Sequence, residues 1–142
     1  MIPFSMRVVI DTNVLVAAMR SRNGASNALI FKIGLGVFDL VLSVPLMFEY
    51  EDVLSRPEFG FEQPKINAVL NFIAANSHHQ KIHYLWRPHL NDPKDDMVLE
   101  LALNANCSTI ITFNQKDFRA SKQLGIQTTL PKDFLSLIGG QR

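Results

Sequence analysis

The chain has 142 residues, a length that predicts one compact domain over residues 1–142. Its 47% hydrophobic content is enough for a buried core and excludes an intrinsically disordered chain. Fourteen Lys and Arg against 13 Asp and Glu give a net charge of +1, so a nucleic-acid partner would need a local basic surface.

The single cysteine, Cys107, excludes an intramolecular disulfide and a zinc site built from cysteine thiolates. It favours a reducing compartment, so we expect a cytoplasmic location. No apolar run reaches the roughly 20 residues that a membrane-spanning helix requires. Arg7 interrupts the N-terminal apolar stretch, which lacks a small-residue cleavage site, so we expect no secretory signal and no membrane partner.

Short β-branched runs alternate with segments of helical periodicity along the whole chain. In chain order they predict strand Arg7–Ile10, helix Val14–Met19, a helix from Ser26 to Ile33, strand Phe38–Val44, a helix from Pro45 to Leu54, a helix from Pro64 to Ile73, strand Lys81–Trp86, a helix from Asp92 to Ala102, strands Thr109–Thr112 and Ile126–Leu130, and helix Pro131–Ile138. This alternation predicts a three-layer α/β/α sandwich with a mainly parallel central sheet.

Capping residues set the predicted helix boundaries. Ser26 is expected to cap the second helix, and Gly34 and Gly36 are expected to close it. Pro45 and Pro64 suit the first position of the next two helices, where a missing N–H costs nothing.

Polar and acidic side chains follow the ends of the predicted strands. In an open parallel sheet, ligands bind beyond the carboxyl ends of the strands, so these groups can converge on one edge. They are Asp11 after the first strand, Glu49 in the helix after the second, Asp92, Asp95 and Asp96 at a helix start, and Asn114 and Asp117 after the Thr109 strand.

Carboxylates gathered at one edge repel each other unless protons or cations offset the charge. Hard oxygen ligands near water suit Mg²⁺ or Mn²⁺, and a pair of such ions about 4 Å apart promotes displacement at phosphate. Five of these residues also have a structural interpretation. Asp11 and Asp92 suit helix caps, Asp95 complements a helix dipole, Glu49 suits a solvated helix face, and Asn114 suits an Asx turn.

Four segments carry these residues in a fixed order. They are Arg7–Ala18 with Asp11-Thr12-Asn13, Ser43–Pro57 with Glu49, Asp92–Ala102 with Asp95, and Ile111–Phe118 with Asn114 and Asp117. Together they resemble the PIN-domain ribonucleases, the family of the VapC-like toxins of toxin–antitoxin systems, from Arg7 to about Phe134. The Arg56-Pro57 ending of the second segment is most similar to the PIN-family toxin components.

The resemblance implies a metal-dependent endoribonuclease that forms a homodimer and is inhibited by a cognate antitoxin protein. It implies that Asp11 and Asp95 hold Mg²⁺ or Mn²⁺, that Glu49 orients the attacking water, and that Asp117 and Asn114 complete the site. Many relatives carry Asp in place of Asn114, which leaves open whether one or two ions bind.

Thr12 and Asn13 are expected to hold the Asp11 carboxylate in position, the supporting role that metal sites need. Asp92 is expected either to cap its helix or to add a ligand. An acidic site also needs flanking cations to hold RNA, because phosphate contacts supply most of the affinity. The candidates, each equally consistent with a solvated surface charge, are Arg20, Arg22, Lys116, Arg119 and Lys122.

Alternative interpretations stay open at this point. A PIN-like scaffold that binds RNA or protein without cleaving it is favoured by Asn114. A receiver-type signalling domain would need an acidic pair after the first strand, and a haloacid-dehalogenase-type phosphatase would need a second Asp two residues after Asp11. The spacing of the four histidines does not fit a zinc site, and they fall in a predicted connecting segment: His78, His79, His83 and His89. Trp86 is better explained as a core residue than as a residue that stacks on a base.

Overall fold

The computed structural model describes residues 6–82 and 93–139. The strands are β1 (Arg7–Ile10), β2 (Asp39–Leu42), β3 (His78–His79), β4 (Thr109–Ile111) and β5 (Gln127–Thr129). The helices are α1 (Thr12–Arg20), α2 (Ala25–Phe31), α3 (Val44–Leu54), α4 (Gln63–Ala75), α5 (Pro93–Asn104), α6 (Arg119–Gln123) and α7 (Pro131–Gly139), with 3-10 turns at Pro57–Phe59 and Gln115–Phe118.

The five strands form one all-parallel sheet in the order β3-β2-β1-β4-β5. β1 is central, and its Val8 pairs with Leu40 of β2 on one side and Thr109 of β4 on the other. Helix α5 packs across β1, β2 and β4, while α2 packs between α1 and α7. The predicted α/β/α sandwich with a parallel sheet is confirmed.

The core lies on both faces of this sheet. Val8, Val9 and Ile10 are fully buried, as expected of a parallel strand covered by helices on both sides. Cys107 is buried just before β4, and burial raises the pKa of its thiol to about 12. The cysteine therefore behaves as a small hydrophobic side chain, as predicted. No helix within residues 6–82 and 93–139 is long and apolar enough to cross a lipid bilayer.

The start of α2 differs from the prediction. The helix begins at Ala25, with Gly24 as its N-cap, and Ser26 is a buried residue inside the first turn. The assignment of Ser26 as the cap is wrong because the extended backbone of Gly24 starts the helix without a side-chain cap bond. The helix ends at Phe31 with Lys32 as its C-cap, two residues before the predicted end at Ile33, and Gly34 and Gly36 adopt positive φ in the turns that follow.

The third strand also differs from the prediction. His78 and His79 form a two-residue edge strand that pairs with Val41 and Leu42, so they do not lie in a connecting segment. Lys81 and Ile82 are not in a strand, and the rest of the predicted strand, with Trp86, lies outside the described residues. Two exposed polar residues carry no alternating pattern by which sequence could reveal this strand.

The segment after β4 contains helical turns that the sequence analysis left unassigned. The 3-10 turn Gln115–Phe118 runs directly into α6. The Phe118 side chain is buried, and the Ser121 hydroxyl donates to the Phe118 carbonyl at 2.7 Å. This short helix is therefore stabilised by local hydrogen bonds and one buried ring. It has no apolar stripe by which sequence could reveal it.

Gly34→Ala is expected to destabilise the protein more than Gly36→Ala. Both glycines have positive φ, +86° and +82°, which costs an L-residue about 1–2 kcal/mol. Only at Gly34 would a Cβ also approach Asn76, 2.5 Å from its side-chain oxygen, whereas nothing lies within 4 Å at Gly36. Urea unfolding of both variants measures the difference. Equal losses of unfolding free energy would show that Asn76 moves away freely.

Candidate functional site

Asp11 lies where the central strand ends and α1 begins. Its backbone N–H donates to the Ile111 carbonyl at 2.9 Å, which continues the pairing of β1 with β4. Its side chain is 8% exposed and caps α1, with Oδ1 accepting from the Thr12 N–H at 2.8 Å. Oδ2 accepts from the Thr112 hydroxyl at 2.7 Å. Both carboxylate oxygens are therefore fixed while retaining lone pairs for a ligand.

Thr112 connects the ends of β1 and β4. Its side chain is fully buried, and its Oγ1 also accepts from the Asn114 N–H at 3.0 Å and from Asn13 Nδ2 at 3.5 Å. Asn13 Oδ1 in turn accepts from the Phe113 N–H at 3.4 Å. Thr12 thus holds Asp11 through its backbone N–H, and Asn13 acts on it only through Thr112. The sequence analysis gave Thr112 no role.

Tyr50 fixes the backbone just before Asp11. Its ring is fully buried, and its hydroxyl donates to the Ile10 carbonyl at 2.5 Å. Burial raises the pKa of the Tyr50 hydroxyl well above its ordinary value, and the nearby charge of Asp11 raises it further, so the phenol stays protonated. The sequence analysis missed this contact, which joins α3 to β1.

Burial dominates the electrostatics of Asp11. It raises the pKa of the carboxyl; the hydrogen bonds from Thr112 and Thr12 lower the pKa, and the charges of Asp117 and Glu49 raise it again. Asp117 and Glu49 are therefore close enough to Asp11 to act on its charge. A buried carboxylate with acidic neighbours is stabilised by any cation that reaches it.

Glu49 differs from the other acids of α3. Its side chain is 13% exposed, and its Oε2 lies 3.6 Å from Nζ of Lys94 in the first turn of α5. Glu51 and Asp52 are exposed, and Asp52 pairs at the surface with Arg56 at 3.6 Å. The interpretation of a solvated helix face therefore applies to Glu51 and Asp52, and not to Glu49. No pattern in the sequence predicts this contact between Lys94 and Glu49.

Helix α5 brings the third acidic segment to the same region. It packs against β1, α3 and the 3-10 turn Gln115–Phe118, the elements that carry or precede the other predicted acids. Asp95 and Asp96, in its first turn, are both partly buried. Asp92, predicted as cap or extra ligand, lies outside the described residues.

Asp117 and Asn114 sit on the exposed turn after β4. The Asp117 N–H donates to the Asn114 carbonyl at 2.9 Å, which closes the 3-10 turn, and both side chains are exposed. The backbone of Asn114 is tied to Thr112, so this turn is anchored to the residue that holds Asp11.

The acidic side chains around Asp11 offer oxygen donors to a cation. Within residues 6–82 and 93–139, no three His, Cys, Asp or Glu side chains lie close enough to form a ligand group as they stand. Mg²⁺ keeps several waters and often takes only one or two carboxylates. A fixed Asp11 with acidic neighbours and only oxygen donors therefore fits Mg²⁺ or Mn²⁺ better than zinc.

The predicted basic residues fall into two groups. The Arg20 guanidinium lies over the Phe59 ring, 4.9 Å from its centroid, and Arg22 is exposed in the loop that follows α1. Lys116, Arg119 and Lys122 are exposed after β4, and the last two line a cavity of about 420 Å³. The contact with Phe59 orients the charge of Arg20.

Comparison with protein families identifies the chain. A family model described as PIN domain matches residues 7–116, well over half of the sequence and a range that includes Asp11, Glu49, Asp95 and Asn114. Comparison with curated proteins finds no match. Members of the matched family are generally nucleases. With the parallel β3-β2-β1-β4-β5 sheet and the acidic residues at the ends of its central strands, the chain belongs to the PIN-domain family.

Proposed function

We propose that this protein is a metal-dependent endoribonuclease that hydrolyses RNA phosphodiester bonds at the Asp11 edge of the sheet. The observation that carries the proposal is the state of Asp11. Its carboxylate is buried, is held by Thr12 and Thr112, and has a pKa raised by burial and by the charges of Asp117 and Glu49. A structural cap alone needs no such group of acids around it.

The roles of the acids follow from their positions. Asp11 and Asp95 would hold Mg²⁺ or Mn²⁺, which when bound polarises the phosphate and lowers the pKa of a water. Glu49, partly buried and beside Lys94, would accept a proton from the attacking water. Asp117 and Asn114, on the exposed turn, would face the leaving group. Thr112 and Asn13 keep the Asp11 carboxylate in one orientation.

Mn²⁺ or Mg²⁺ is expected to stabilise the folded protein. A ligand that binds only the native state at 100 times its Kd adds about 2.7 kcal/mol, which corresponds to a rise in Tm of about 5–10 °C for a chain of this size. Asp11→Asn should lose most of this rise, whereas Asp52→Asn, an exposed acid on α3, should keep it. An equal rise in Tm in wild type, Asp11→Asn and Asp52→Asn would show that the cation binds away from Asp11. Differential scanning fluorimetry with and without EDTA makes the measurement.

Cleavage of RNA separates the nuclease from the main alternative, a PIN-like module that binds RNA or protein without cutting it. Asn114, uncharged and exposed, favours that alternative because it removes one carboxylate. A labelled RNA incubated with Mn²⁺ should yield products that EDTA abolishes. Binding without products in any divalent cation would support the module.

We further propose that the nuclease is the toxin of a toxin–antitoxin pair, acts in the cytoplasm and is a homodimer. This rests on the similarity of segment 43–57 to the PIN-family toxin components. Co-expression with the product of the adjacent open reading frame should yield a complex in which cleavage is inhibited. Size-exclusion chromatography with light scattering tests the dimer.

A further inference from the structure

A cleft of about 590 Å³ opens beside Asp11, along one side of α1. Thr12 and Asn13 line the end of the cleft near the acidic edge. Val16 and Val53 are among the apolar residues that line the rest. Its volume lies in the range of small-molecule sites and is sufficient for one nucleoside. Because Thr12 directly follows Asp11, whatever occupies the cleft is adjacent to the acidic groups.

Two aromatic rings and one cation also line this cleft. Phe113 follows Thr112, is 46% exposed, and has its backbone fixed by the bond to Asn13. Phe59 carries the Arg20 guanidinium over its ring at 4.9 Å and stacks on Phe61, with ring centroids 5.7 Å apart and planes 17° apart. Arg20 is therefore oriented in advance, and Phe113 offers an exposed aromatic surface.

We propose that this cleft binds the unpaired base of a nucleotide next to the phosphate at the acidic edge. The base stacks on Phe113, and Arg20 contacts the sugar–phosphate chain. An exposed aromatic ring beside a cation suits a base and its phosphate, and each stacked base contributes about 1–3 kcal/mol. An acidic peptide would also meet Arg20, but its carboxylates offer no aromatic face to the exposed Phe113 ring, whereas a nucleotide supplies both an anion and a base.

Stacking on Phe113 requires that the base be unpaired. A base in a duplex is already stacked on both faces, so only single-stranded RNA can place one on Phe113 without an unpairing cost. The cleft is therefore expected to bind a nucleotide whose base is unpaired more tightly than one whose base is paired. This inference rests on the proposed function in taking the acidic edge as the phosphate site.

Binding of fluorescent RNA to the full-length protein, measured by anisotropy in EDTA so that no cleavage occurs, tests the proposal. Phe113→Ala should weaken binding of a single-stranded oligonucleotide by about 5- to 150-fold. Phe113→Trp should restore it, and Leu137→Ala, which removes another exposed apolar side chain on α7, should have no effect. A duplex of the same sequence should bind more weakly and should not respond to Phe113→Ala.

An abasic nucleotide identifies the position. One abasic substitution in the oligonucleotide should reduce wild-type binding as much as Phe113→Ala does, and the two changes together should cause no further loss. Equal binding of single strands by wild type and Phe113→Ala would overturn the proposal. A peptide bound in the cleft in place of RNA would also overturn it, because the proposed occupant is a base. If Phe113→Ala binds RNA normally but the protein still cleaves RNA with Mn²⁺, the base site is refuted and the proposed nuclease function is not. If binding depends on Phe113 but no cleavage occurs, the base site is supported and the nuclease function is refuted.

Discussion

Asp11→Asn is expected to reduce RNA cleavage by about 1,000-fold while the protein stays folded. The amide keeps the shape of the carboxylate and can still accept from the Thr12 N–H, so α1 retains its cap. It removes a negative charge at the end of the central strand, on a side chain whose two oxygens are both fixed. Initial cleavage rates of a labelled RNA at saturating Mn²⁺ measure the loss. Asp95→Asn should behave alike.

The same variant is expected to be more stable than wild type in EDTA at neutral pH. Because burial raises the folded-state pKa of Asp11, its charged form disfavours folding. This penalty is absent below the unfolded pKa, grows as pH rises, and is complete above the folded pKa. The difference in unfolding free energy between Asp11→Asn and wild type should therefore increase with pH across that window. Asp52→Asn is the matched control for both experiments. In the cleavage assay, Mn²⁺-dependent activity retained by Asp11→Asn would contradict the proposed function.

Thr112→Val is expected to lower cleavage by about 10- to 100-fold, the usual effect of losing a group that orients a metal ligand. Valine has the shape of threonine but cannot donate to Asp11 or accept from the Asn114 N–H. The loss of these buried hydrogen bonds should also reduce the free energy of unfolding by about 1–3 kcal/mol.

The pH profile separates orientation from simple destabilisation. The Thr112 hydrogen bond lowers the pKa of Asp11, so without it the pKa rises and the acidic limb of the rate profile moves to higher pH. Thr112→Ser should restore the wild-type profile. Thr109→Val, at the other end of β4, should leave the profile unchanged. A Thr112→Val enzyme with an unshifted acidic limb would assign Thr112 a purely structural role.

The strands with strong apolar patterns and the place of Asp11 could be predicted from sequence. β1 and β4 are β-branched runs buried on both faces, and the strand-end rule placed Asp11 and the Asn114 turn at one edge. The edge strand at His78 could not be predicted, because it pairs through its backbone and has no apolar pattern. Ser26 was misassigned because a serine and a glycine near a helix start both fit the N-cap.

The partners of the site residues could not be predicted, because they depend on strand register. Thr112 reaches Asp11 only because Ile10 pairs with Ile111, and nothing local in either segment sets that pairing. The contacts of Tyr50 with Ile10 and of Lys94 with Glu49 likewise join elements far apart in the chain. Sequence identifies which residues can do chemistry, whereas long-range packing decides which of them are held in position.

The pairing of the first strand with the fourth has a consequence for biosynthesis. Asp11 is made before Thr112, which fixes its second oxygen and lies 101 residues later in the chain. Two strands so far apart in sequence join late, since the loop between them must close first. A nascent chain that ends before β4 lacks the Thr112 hydroxyl that fixes the second oxygen of Asp11, so the acidic edge takes its final form only after β4 has been made.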